Sequence, residues 1–292
     1  TNQSKIKPAI TYLKPLSAAI SIGTGGPFGA EGPIIATGGA LGSTLGQLIK
    51  ITPNERKILL AAGATAGMSA IFGSPLAAIL LAIELLLFEF SARSFIPVAL
   101  ACITGAAGHH LLFEEGVVFP LNFLLQPSSN YALLFYATMG IVIGLISVIV
   151  TKVVYWIEDV FEKLPIHWAW WPAIGGIAVG VVGFFAPRTL GVGYSNITDL
   201  LTGTMPMQVV LSLCVLKFLS WAISLGSGTS GGTLAPLLTI GGATGALIGS
   251  IGMFWFPNSG INIPLSVLVG MSAMFAGASR AFLTSIVFAL ET

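Results

Sequence analysis

Long apolar runs alternate with short breaks that hold most of the chain's charges. Runs near residues 9–22, 33–49, 57–71, 75–91, 94–113, 131–156, 168–186, 207–225, 233–254, 263–276 and 280–291 predict helices. They lack the period-2 alternation of barrel strands and exceed barrel-strand length. From Lys217 to Arg280 there is a gap of 62 uncharged positions, where one spanning helix needs roughly 20 apolar residues. The pattern predicts an all-α, multi-pass membrane protein. Several runs are too short, or too broken by glycine and proline, to cross squarely, so half-helices ending inside the membrane are expected. The stretches 50–57 (KITPNERK) and 158–163 (EDVFEK) face water. The Lys/Arg bias between loops is too weak to set orientation.

Composition agrees. Hydrophobic residues make up 55% and charged residues 8%, against about 25% charged in soluble domains. Mean hydropathy is +0.93. A net charge of +1 excludes the basic stripe of a nucleic-acid binder. Cys102 and Cys214 sit in apolar runs, without disulfide or metal-ligand spacing. The chain opens at Thr1 without an initiator methionine and stops at Thr292 just after an apolar run; truncation at both ends is expected.

A shift of 203 residues lays 19–46 over 222–249 without a gap, with 12 of 28 positions identical. The same shift lays GMSAIF at 67–72 on GMSAMF at 270–275. Two related halves are expected, 1–120 and 121–292, joined near 115–130. Repeats with matching breaks point to a transport site at the repeat interface.

Each break has one construction. Gly23, Gly25, Gly26 and Gly29 precede Glu31-Gly32-Pro33; Gly226, Gly228, Gly231 and Gly232 precede Ala235-Pro236. Proline in the first turn marks a helix start. The first N–H groups of a helix lack internal partners, and in a membrane interior they need another acceptor. Glycine admits an ion close to the backbone, and the helix dipole adds partial positive charge. Two such starts directed at one point would hold an anion without a full positive charge that would bind it too tightly. Tight helix packing is the plain alternative; Gly38, Gly39, Gly42 and Gly46 are assigned to it. A dinucleotide fingerprint is excluded by spacing and by the lack of a βαβ context. Glu31 breaks the symmetry, because its repeat partner is Leu234. A carboxylate at an intramembrane helix start is costly unless used. It can cap its own helix; as an anion, it can also occupy an anion site and act as a gate or proton carrier.

GTGGPFGAEGP at 23–33 and GSGTSGGTLAP at 226–236 resemble the two glycine-rich signatures of the ClC chloride channel and transporter family. GATAGMSAIFGSPLAAILLAIE at 63–84 and GMSAMFAGASRAFLTSIVFALE at 270–291 resemble the segments that follow them, with Arg280 on the family's basic position. The resemblance implies a homodimer in a cell membrane, with one anion pore per subunit, two inverted halves, chloride as the transported ion and no further cofactor. It implies Glu31 as the gating glutamate. It implies backbone amides at Gly32, Thr233, Leu234 and Ala235 as anion ligands, with Gly29, Pro33, Gly232 and Pro236 in support. The family's earlier serine-bearing loop would precede Thr1, and its late tyrosine would follow Thr292. Ala30 stands where a basic residue is common, and Leu234 where phenylalanine is. Leu85 stands where proton-coupled members carry a second glutamate. Leu85 therefore favours passive, glutamate-gated, voltage-gated-type chloride conduction. A proton-coupled chloride or fluoride exchanger using Glu84 or Glu89 is the alternative, and a non-transporting membrane scaffold the rival from another class.

Other polar residues are read structurally. Glu84 and Glu291 occupy matching late-helix places after a four-residue offset and read as helix caps or ion-pair partners, with Arg280 a candidate partner or a source of positive potential near the pore. Lys217 and Lys152 read as snorkelling lysines at a membrane boundary. His109-His110 with Glu114-Glu115 reads as a wet loop rather than a metal site. His167, Trp168, Trp170 and Trp171 read as an interfacial belt. No nucleophile–base arrangement suggests an enzyme.

Overall fold

A computed structural model describes residues 4–113, 119 and 129–292. Among them are twelve α-helices and no strand, apart from one bridge between two glycines. In chain order they are α1 (Ile10–Gly23), α2 (Glu31–Leu48), α3 (Pro53–Phe72), α4 (Pro75–Leu81), α5 (Ala92–Leu112), α6 (Asn130–Glu162), α7 (Trp171–Phe185), α8 (Tyr194–Leu201), α9 (Met207–Gly226), α10 (Leu234–Trp255), α11 (Ile263–Ser279) and α12 (Phe282–Glu291). Every apolar run is helical. The α5, α6, α9 and α10 helices, and the stretch Trp168–Phe185, are long and apolar enough to cross a membrane. The short α8 was not expected: eight residues with buried Ile197, Leu200 and Leu201 beside Thr198 and Asp199 make no long apolar run. The run at 75–91 ends early. After α4 the chain widens into a π-helical turn (Ala82–Leu87), and Phe88 at φ 57° closes it. The expected join of the halves lies largely outside the described residues.

The chain forms two compact units. Residues 1–20, 30–120 and 281–292 make the first; 21–29 and 121–280 make the second. In the first, α2 lies on α3 with Gly38 against Gly63 and Gly42 against Leu59, where a Cβ on either glycine would run into a backbone carbonyl. Gly39 and Gly46 make side-chain contacts instead, with Ala64 and Arg56. The α3 start carries a capping box: Glu55 N–H donates to Thr52 Oγ1 (3.3 Å), and Thr52 N–H and Oγ1–H donate to the Glu55 carboxylate (3.0 and 2.7 Å). Those bonds from Thr52 hold the Glu55 carboxyl below its ordinary range.

In the second unit α10 is buried along most of its length. Gly241 meets Gly270, and Gly245 meets Ser266, at backbone distance from α11. Phe28, Tyr136, Met139, Ile143, Trp221 and Met274 belong to its core. The 203-residue shift places Phe72, the end of α3, on Phe275, yet α11 continues to Ser279. Four residues are about one α-helical turn, so the extra length preserves the helix face. Both helices then end on a left-handed residue, Gly73 at φ 63° and Arg280 at φ 61°. That extra turn is the source of the offset between Glu84 and Glu291.

Because the Gly38 position has no room for a methyl group, Gly38→Ala should cost about 1–3 kcal/mol through overpacking. Gly140→Ala, where an added Cβ meets nothing within 4 Å, should be close to neutral. Thermal unfolding midpoints of the purified protein in detergent check the contrast.

Candidate functional site

The two glycine-rich breaks are loops, 24–30 before α2 and 227–233 before α10. Gly25, at φ 102°, turns the chain out of α1 in a conformation that side chains rarely adopt. Gly26 N–H then returns to Ser21 O (2.8 Å). The loops are joined by their backbones. Gly29 N–H donates to Gly232 O (3.1 Å), and Gly232 N–H donates to Gly29 O (2.9 Å). Phe28, fully buried, lies against Gly231, where a Cβ would fall within the aromatic ring. The second loop is also braced by Ser227, whose hydroxyl donates to Ser224 O (2.7 Å) and shares a hydrogen bond with Thr229 Oγ1 (2.9 Å).

Helices α2 and α10 begin two residues beyond this bridge, at Glu31 and Leu234. Pro33 and Pro236 each take the third helical position, where the missing N–H costs no helix bond. The residues before them, Ala30 and Thr233, adopt helical backbone angles and supply no side-chain cap. Among the described residues, the amides of Thr233, Leu234 and Ala235 make no hydrogen bond, and neither does that of Gly32. Leu234 and Ala235 are buried. A buried helix start with free amides calls for an acceptor. Glu31 is fully buried.

The matched late glutamates cap helices, as their symmetry suggested. The Glu84 carboxylate accepts from Leu283 N–H (2.9 Å), Thr284 N–H (2.9 Å) and Thr284 Oγ1–H (2.7 Å) at the start of α12. Glu291, at the end of α12, accepts from Leu76 N–H (3.1 Å) and Ala77 N–H (2.8 Å) at the start of α4. Thus α12 runs antiparallel to α4 and its π-helical extension; Glu84 in the extension caps the start of α12, and Glu291 caps the start of α4. Arg280 serves as neither partner: it is exposed and closes α11.

Leu85 is half-buried in the π-helical turn. The apolar run at 75–91 implied one helix carrying both Glu84 and Glu89; this is corrected, because Phe88 ends the turn and leaves Glu89 exposed beyond it. The other histidine and lysine readings divide. His109 is not in a wet loop; it lies in the last turn of α5, buried, with Nδ1 2.8 Å from Ala70 O. His110 is exposed, and Glu114 and Glu115 fall outside the described residues. Lys152 is exposed on α6. Lys217 is no boundary lysine: it is fully buried in α9, and its Nζ donates to Thr189 O (2.9 Å) and Gly191 O (2.7 Å). Trp168 and Trp170 are exposed, consistent with a belt. Phe28 was overlooked in the sequence; the signal was one large aromatic residue inside a run of glycines.

This is an all-helical integral membrane protein with glycine loops joined ahead of two buried helix starts. The profile of the voltage gated chloride channel family matches residues 1–292, and the chain belongs to that family. It is 31% identical over 280 residues to the H(+)/Cl(-) exchange transporter ClcA of Yersinia pestis bv. Antiqua (strain Angola), covering 93% of this chain and 58% of that protein. The same figures hold for ClcA of Yersinia pseudotuberculosis serotype O:3 (strain YPIII). The chain thus spans little more than half the length of these relatives. Among solved structures, a slow cyanobacterial Cl-/H+ antiporter is similar with TM-score 0.85 and 22% identity, over 100% of this chain and 73% of that one. A CLC-type fluoride/proton antiporter is similar with TM-score 0.78 and 23% identity, over 91% and 65%.

Two stability measurements probe the geometry. Gly231→Ala and Phe28→Ala should each destabilise the protein, and the double variant should cost less than their sum by more than about 0.5 kcal/mol, because both act on one contact. Glu84→Ala should cost about 1–3 kcal/mol by leaving the start of α12 uncapped; a midpoint unchanged in thermal unfolding would refute the cap.

Proposed function

We propose that the protein moves a small inorganic anion, chloride in the first instance, across a cell membrane in exchange for protons. The observation that carries this reading is a fully buried carboxylate, Glu31, at the first position of α2. In this reading Glu31 occupies the anion path as a gate when ionised and leaves it when protonated. The amides of Gly32, Thr233, Leu234 and Ala235 are the anion's donors. Gly29, Pro33, Gly232 and Pro236 hold the loops and helix starts that present them. The two repeats, 1–120 and 121–292, are inverted relatives, and the working unit is a homodimer in the lipid bilayer with one path per subunit. Chloride is the transported ion rather than a cofactor, and no catalytic chemistry is assigned. The exchange reading draws support from relatives named as H(+)/Cl(-) exchange transporters.

Passive conduction is the second reading, and one residue favours it. Leu85 cannot carry a proton, the Glu84 carboxylate beside it is committed to α12, and Glu89 is exposed past the end of the turn.

The test is the reversal potential of the reconstituted protein in a fixed chloride gradient while the proton gradient is stepped. Exchange predicts a potential that moves with the proton gradient; passive conduction predicts one that follows chloride alone. Glu31→Gln should abolish proton coupling and the pH dependence of anion flux. Flux and pH dependence identical to wild type would remove Glu31 from the gate. No protein-dependent flux of chloride or fluoride at any pH would leave a scaffold.

A further inference from the structure

Lys217 is a cation placed inside the protein without a carboxylate. It is 0% exposed. Among the described residues no acidic side chain lies within ion-pair distance of it; Asp199 on α8 is bonded to Arg188 at 2.6 Å. A buried ammonium is costly unless its charge is used or paired, and a methionine would fill the same space at less cost.

Its partners show where that charge acts. Lys217 Nζ takes the carbonyls of Thr189 and Gly191, and Asn196 Nδ2 takes the neighbouring carbonyl of Arg188 (2.7 Å). The negative ends of these peptides are thus drawn toward α8 and α9 side chains. The N–H of Gly191 donates to Gly25 O (3.1 Å). Gly25 belongs to the first glycine-rich loop, four residues before the Gly29–Gly232 bridge. A short chain of hydrogen bonds therefore runs from the buried ammonium to the loop that leads into α2.

We propose that Lys217 is a positioning residue for anion passage. It acts through the carbonyls of Thr189 and Gly191, fixing the backbone of the Gly25 loop and placing a positive charge behind it. The ligand class follows from the sign: such a charge favours a passing anion and opposes a cation. This rests on the reading that an anion passes the glycine-rich loops.

The experiment measures initial chloride efflux from liposomes against chloride concentration for wild type, Lys217→Met, Lys217→Arg and Asn196→Asp, with thermal midpoints alongside. A unit charge on the order of 10 Å away, at an effective dielectric of about 20, alters binding roughly tenfold. Lys217→Met should therefore weaken apparent chloride affinity about tenfold and change the maximal rate less, and Lys217→Arg should recover most of the loss. Asn196→Asp keeps the lysine but brings a carboxylate beside it. A Cβ on Gly193 would lie 3.1 Å from Asn196 Nδ2 and 3.4 Å from Lys217 Nζ. This variant should weaken affinity in the same direction, and it decides the matter where Lys217→Met does not fold. Chloride dependence unchanged in Lys217→Met or in Asn196→Asp, or Lys217→Arg no better than Lys217→Met, overturns the proposal. Wild-type protein without anion flux would instead overturn the transport reading itself.

Discussion

The constraint on which this structure depends is that helix ends in an apolar environment must find partners inside the protein. With 8% charged residues, the chain has few side chains to spend on them. It places several at helix ends. Glu84 and Glu291 serve the starts of α12 and α4, Thr52 and Glu55 the start of α3, and Ser91 and Ser129 the starts of α5 and α6. Lys217 does the converse for two loop carbonyls. Against that use of scarce polar groups, the amides of Leu234 and Ala235 stand out. They are buried at the head of a long helix and have no acceptor among the described residues. The starts of α7, α8, α9 and α11 also lack a side-chain cap; α10 is set apart by the burial of its first residues, and N–H groups at the positive end of a helix dipole suit an anion.

The two glycine-rich breaks share one construction and differ at the residue that begins the helix. The glycine bridge and the prolines are alike in both, since Gly29 pairs with Gly232 and Pro33 matches Pro236. Glu31 and Leu234 then differ at the residue that begins the helix, so one start carries its own carboxylate and the other carries none. The helix ends diverge in the same manner. Gly73 and Arg280 both adopt the left-handed conformation, but the side chain at Arg280 costs about 1–2 kcal/mol that glycine does not. Nothing in the surrounding contacts explains that choice.

Much of the fold was legible in the sequence because a membrane helix is written as an uninterrupted apolar run, and each run became a helix. Reading failed where the determining signal was not apolar periodicity. The α8 helix is too short and too mixed in polarity to register. The end of α4 depends on Phe88 adopting a left-handed turn, which its side chain gives no hint of. Lys217 and His109 were assigned to water because charge and polarity usually mean exposure. Both are buried because distant segments offer carbonyl partners, the 189–191 loop in one case and Ala70 in the other. For the candidate site, the glycines and prolines announced the loops. The pairing of Gly29 with Gly232 and the seating of Phe28 on Gly231 required the backbone to be seen.

The same inventory limits how a proton could travel. Glu84 lies beside Leu85, yet its carboxylate accepts three hydrogen bonds, two of them from helix-start amides. Protonating it would weaken all three, and hydrogen bonds to a charged group are worth about 1.5–3 kcal/mol each. Glu89 has no such obligation, but it lies exposed beyond Phe88. Neither is a ready substitute for a glutamate at Leu85. Glu31 differs from both in being wholly buried. The exchange reading therefore needs a proton to reach Glu31 without a titratable side chain at position 85. The leucine at position 85 is thus the feature of this chain that sets the proposed exchange against passive conduction.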